Sequence, residues 1–96
     1  MKAKILYLGL MRDLVKKREE VLSFDVAWTI RDLVRALVKE YGKTLEDSIT
    51  TLDGDLRADV LFLVDGQNIN HKQGLDTPVR SRDEVTVALL NMAEGG

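Results

Sequence analysis

The chain has 96 residues, enough for one domain and one core, and 45% of them are hydrophobic, which is ordinary for a globular fold. Lys and Arg number 14 against 16 Asp and Glu, a net charge of −2 with the signs interspersed, which argues against nucleic acid or an anionic membrane as partner. With no cysteine, disulfides, thiolate metal sites and cysteine nucleophiles are excluded together, a composition that fits the cytoplasm; no apolar run suggests a signal peptide or reaches the ~18 residues of a membrane span.

From Ala3 to Leu8 the residues favour a strand, with Ile5 and Tyr7 on one face and Leu6 and Leu8 on the other. Apolar residues on both faces suit a central strand, or one whose outer face meets a partner. The segment 10–15 suits a helical turn or a loop, and the charge run from Lys16 to Glu20 reads as a solvated turn. Val21 to Val26 alternates as a half-buried strand, pairing with the first as a hairpin with a long connection.

Trp28 to Gly42 carries the strongest local signals. Thr29 caps a helix, Asp32 three residues on completes a variant capping box, and Trp28 and Leu33 have the spacing of a hydrophobic staple. Ile30, Leu33, Val34, Leu37, Val38 and Tyr41 form one apolar stripe, Arg31, Arg35, Lys39 and Glu40 the wet side, and Gly42 stands where a left-handed cap is wanted. Trp28 is read as a packing residue. Thr44 to Leu52 is predicted as a second, shorter helix, capped by Thr44 and Asp47 and burying Leu45, Ile49 and Leu52.

Asp53-Gly54-Asp55 is a turn, and without further ligands at the required spacing it is not a calcium loop. Asp59 to Val64 predicts a buried strand, Asp65-Gly66 a tight hairpin, and Gln67 to Asn70 a short return strand. His71 lies in a polar stretch with no base or nucleophile to partner it and reads as a solvated loop residue. Leu75 and Val79 pin the following loop, and Ser81 to Asp83 turns into a last strand from Glu84 to Leu90. The expectation is an α+β fold of the β-grasp type: a mixed sheet on one main helix, the last strand central, beside and parallel to the first. A single domain would span 1–90, and 91–96 would be a flexible tail. Its Gly95-Gly96 has no side chains, so the arm can enter a channel too narrow for any Cβ; the plainer alternative is a frayed terminus.

In order and spacing these segments resemble the ubiquitin-like sulfur-carrier proteins of the MoaD/ThiS family, most of all the small subunit of molybdopterin synthase. The similar pieces are Ile5-Leu6-Tyr7-Leu8 with Met11-Arg12-Asp13-Leu14, Thr29-Ile30-Arg31-Asp32-Leu33, Phe62-Leu63-Val64-Asp65-Gly66, Asp83-Glu84-Val85 and the diglycine Gly95-Gly96. Family members often carry Pro-Pro-Val-Ala before the diglycine, where this chain has Leu90 to Glu94.

The resemblance implies a carrier with no catalytic side chains of its own and no permanently bound cofactor. A ubiquitin-activating-type enzyme would adenylate the Gly96 carboxylate with ATP, and a persulfide donor would convert it to a thiocarboxylate (1-thioglycine). Gly95 gives access to the channel, and the tail would enter the molybdopterin synthase large subunit. Fully extended, six residues span at most roughly 20 Å. Strand alternation sets Ile5, Tyr7, Phe62, Val64, Val85 and Val87 against the helix. Leu6, Leu8, Leu61, Leu63, Ala88 and Leu90 then lie on the opposite face, expected with Met92 to form the partner-binding surface. Coverage of that face by the chain's own loops or by a homodimer stays open. So do attachment of Gly96 to protein lysines, sulfur transfer to tRNA or thiamine, and a ubiquitin-like module that is never activated.

Overall fold

The computed structural model describes residues 1–90. Strand β1 (Lys2–Gly9) lies near the middle of a five-stranded sheet. It pairs antiparallel with β2 (Glu19–Ser23) on one edge and parallel with β7 (Glu84–Leu89) on the other. The sheet continues through β4 (Val60–Val64) to β5 (Gln67–Asn68), giving the order β2-β1-β7-β4-β5. Two residues from each of β3 (Trp28–Thr29) and β6 (Pro78–Val79) form a separate small antiparallel pair. Helices α1 (Leu10–Val15), α2 (Ile30–Tyr41) and α3 (Lys43–Ile49) complete the fold. The chain adopts the β-grasp, ubiquitin-like arrangement expected of it, with its last described strand between β1 and β4.

Helix α2 forms for the reasons legible in its residues. The Thr29 side chain accepts from the Asp32 N–H, and the Asp32 carboxylate accepts from the Thr29 N–H at 2.9 Å, a complete capping box. Ile30, Leu33 and Leu37 are buried against the sheet, where Ile5, Tyr7, Phe62, Val64, Val85 and Val87 supply the facing side chains. Trp28 stacks on Phe24 with ring centroids 4.8 Å apart, joining the helix start to the end of the first hairpin.

Several boundaries differ from expectation. Strand β2 begins at Glu19, inside the charge run, and stops at Ser23 rather than Val26. Gly42 has φ 87° and ψ −165°, not the left-handed helical conformation, and it joins α2 directly to α3, which starts at Lys43 without a side-chain cap from Thr44. Because α3 ends at Ile49, only Leu45 and Ile49 are buried, and Leu52 lies fully exposed on the following loop. The return strand after the hairpin is only two residues long. Asn68 then accepts from the Asn70 N–H through its side chain and turns the chain into a 3₁₀ turn at Ile69–His71. Val79 is buried and Leu75, half-buried, packs against the core, so both pin the loop as expected.

Candidate functional site

The site expected at the tail is approached from β7. The Leu90 N–H donates to the Asp59 carbonyl at 2.9 Å, extending the β4–β7 ladder one pair past the named strands. Leu90 is therefore held to the sheet at the last described position. Met92, Gly95 and Gly96, and with them the expected flexible arm over 91–96, lie outside the described residues.

Register defines the face next to this root. Across the sheet, Leu8, Ala88 and Leu61 are direct partners, as are Leu6, Thr86 and Leu63. Partners in register point the same way, so all five apolar residues share the face opposite α2. Leu8 and Leu90 are 41% and 46% exposed, and Leu6, Leu61 and Leu63 are half-buried. Ala88 belongs to the face by register but is only 3% exposed. Its methyl group is the smallest side chain of a row flanked by two leucines, so it forms the floor of the patch and offers a partner little area.

Two further apolar residues extend the exposed surface. Val21 pairs in register with Lys4 on this face, and Leu10 begins α1 directly after β1; both are exposed. The strand pattern of 21–26 carried the signal for Val21, since its alternation sets Val21 apart from buried Phe24. The Lys4–Glu19 ion pair at 3.6 Å borders the patch on the β2 side, and the Arg57–Asp59 pair at 3.8 Å lies at the tail end. An apolar centre with a polar rim is the composition of a docking surface.

The remaining polar clusters have structural explanations. Glu20 accepts from the Tyr7 hydroxyl, from the Tyr41 hydroxyl at 2.7 Å and from the Lys17 ammonium at 3.4 Å. Burial pushes the Glu20 carboxyl up, but the two tyrosine hydrogen bonds and the Lys17 charge together leave it below its ordinary value. Burial, then the bond to Glu20, raises both phenols. Neutral phenols donating to an ionised carboxylate make a clip between β1, β2 and α2, not a nucleophile with its base. A groove of about 950 Å³ beside α2 and α3 has Arg35, Lys39, Asp53 and Asp55 among its lining residues, charges of both signs. His71 is exposed in its loop. Among the described residues, no three His, Cys, Asp or Glu side chains gather in a way that could hold a metal ion. No helix among them is long and apolar enough to cross a membrane.

The model of the ThiS family matches residues 5–96, nearly the whole chain. The chain belongs to the ThiS family. Its β-grasp, ubiquitin-like fold agrees with that membership. A candidate sulfur carrier protein of Archaeoglobus fulgidus is 39% identical over 59 residues, covering 62% of this chain and 66% of that protein, just under two thirds of its length. Among solved structures, the chain is similar to SAMP1 of Haloferax volcanii, with a TM-score of 0.80, 20% identity and full coverage of both chains. It is also similar to a candidate molybdopterin converting factor, subunit 1, of Pyrococcus furiosus. That likeness has a TM-score of 0.74 and 21% identity and covers 95% of this chain and 99% of the other. At such identities, these two structures speak to the fold.

Proposed function

We propose that this ThiS-family chain is the sulfur-carrying small subunit of a molybdopterin synthase. The observation that carries the reading is the exposed apolar sheet face running from Leu6 and Leu8 to Leu90, where the reactive tail leaves the domain. The Gly96 carboxylate attacks the α-phosphorus of ATP on a ubiquitin-activating-type enzyme, and pyrophosphate leaves. A persulfide sulfur then attacks the acyl carbon and AMP leaves. A thiol reductant splits the resulting S–S bond and frees the thiocarboxylate, whose sulfur is delivered to a pterin precursor inside the large subunit. The carrier supplies reach and position, and its partners supply the catalytic groups. The setting is the cytoplasm, with no resident cofactor.

The test is incubation with ATP, the adenylating enzyme and a persulfide donor, read by intact mass. Replacement of one oxygen by sulfur at the C-terminus, reversed when the large subunit and pterin precursor are added, is the expected result. An unchanged mass overturns the carrier reading in favour of a non-activated module. Leu8→Glu should weaken binding to both partners at least tenfold while the fold is kept; unchanged binding refutes this face as the docking surface, as a self-covered or homodimeric face would predict.

A second reading is supported by the full-length likeness to SAMP1, which is named a small archaeal modifier protein. In it, Gly96 is joined to lysines of other proteins, and slower-migrating conjugates would replace the thiocarboxylate in the same assay. Sulfur delivery to tRNA or to thiamine synthesis shares every step up to the thiocarboxylate and differs only in the acceptor that restores the carboxylate mass.

A further inference from the structure

The end of the docking face nearest the tail is not apolar. Asp59 sits in the turn just before β4, and its carbonyl accepts from the Leu90 N–H at 2.9 Å, which sets it beside the tail root at the end of the strand that carries Leu61. Its Oδ1 is shut off from water and accepts no hydrogen bond among the described residues. The nearest cationic atom is Arg57 Nε at 3.8 Å, close enough to offset charge and too far to donate. The side chain as a whole is nevertheless 31% exposed, so the carboxylate is reachable from outside. A turn about its last side-chain torsion exchanges the two oxygens, and this torsion is soft in aspartate.

The backbone around the pair is anchored. The Arg57 N–H donates to the Ile49 carbonyl at 2.9 Å, and the Arg57 carbonyl accepts from the Val60 N–H at 3.2 Å. Asp59 therefore holds its place relative to the tail root, and a carboxylate has about four acceptor sites to offer. An incompletely satisfied carboxylate at the edge of an apolar patch is a poor surface for a purely apolar partner, which would cover it without donors. It favours a partner that brings a donor of opposite charge.

Resting on the carrier reading above, we propose that Asp59 is a specificity-determining contact at the root of the tail. It takes an arginine or lysine side chain from the adenylating enzyme as the apolar face docks. Asp59 touches no reacting atom; it selects the partner and sets the position in which the tail enters.

The experiment uses the full chain with that enzyme and ATP–pyrophosphate exchange, comparing wild type with Asp59→Asn and Asp59→Glu at low and high salt. Asp59→Asn should raise KM for the carrier about tenfold, leave kcat and Tm unchanged, and flatten the rise of KM with salt. Asp59→Glu, which keeps the charge, should recover most of the affinity. A KM for Asp59→Asn within twofold of wild type overturns the proposal. If Asp59→Asn lowers Tm, the salt series decides: an unaltered salt dependence of KM means that Asp59 is only structural, and the proposal fails. Absence of any exchange with wild type refutes the carrier reading itself, a result distinct from a working carrier indifferent to Asp59.

Discussion

Gly9→Ala should be among the most damaging single-methyl additions available to this domain. Gly9 ends β1 at φ 62° and ψ −139°, a backbone conformation open essentially to glycine alone. A Cβ built there would sit 2.5 Å from the Leu89 carbonyl oxygen, so the β1 and β7 backbones must part by at least half an ångström to reach even the 3.0 Å limit of real contacts. The conformational strain costs about 1–3 kcal/mol, and disturbing one ladder hydrogen bond adds about 1 kcal/mol. The expected loss is about 2–4 kcal/mol, or roughly 8–30 °C in Tm for a domain of this size. Urea denaturation followed by circular dichroism measures it. Gly66→Ala is the control: Gly66 also has a positive φ, 84°, but a Cβ there meets nothing within 4 Å. The difference between the two variants isolates the close approach of β1 to β7. Equal losses would refute the steric argument and leave backbone strain alone.

Three further outcomes follow from the same geometry. The folded-state Glu20 carboxyl lies below its ordinary value of 4.5, so its stabilising contribution is fully present above that pH and is lost as pH falls through the folded-state value. Glu20→Gln should therefore flatten the stability profile below about pH 4.5 in acid titrations of urea midpoints; an unchanged acid slope would remove Glu20 from the account. Thr29→Ala deletes the oxygen that accepts from the Asp32 N–H and should cost about 1 kcal/mol by the same denaturation assay. Leu52→Glu should change stability by less than about 0.5 kcal/mol, because that leucine is fully exposed; a larger loss would mean that the 51–55 loop packs more tightly than its exposure indicates.

The legibility of the fold followed the range of its interactions. Helix α2 was readable because its capping box and apolar stripe are local, and the central strands because Ile5 to Leu8 and Val60 to Val64 are nearly continuous apolar runs. The start of β2 was not readable. Glu20 looks like a member of a solvated charge run, and only the fold brings it the hydroxyls of Tyr7 and Tyr41, 13 and 21 residues away. The helical spacing of Leu45, Ile49 and Leu52 continues past the point where the backbone leaves the helix at Thr50, so spacing alone sets Leu52 on a helix that has already ended. The β3–β6 pair has two residues per strand, too few for any periodicity to show. At the candidate site, alternation assigned the open face correctly. The coverage of Ala88 and the poorly satisfied Asp59 carboxylate depend on neighbours across the sheet and became visible only with the register known.

The place of β7 in the sheet also governs how the protein is made. Residues emerge from the ribosome in order, and the strand that fills the gap between β1 and β4 is the last one described. At about 5–20 residues per second, β1 waits several seconds for its parallel neighbour. Meanwhile it has only β2 beside it, and an isolated two-stranded hairpin is marginal in water. A nascent chain interrupted before Glu84 lacks the middle of its sheet and remains open to proteases. Cooperative folding thus works as a checkpoint on synthesis, since the sheet face of Leu6, Leu8, Leu61 and Leu63 is complete only on chains translated through β7.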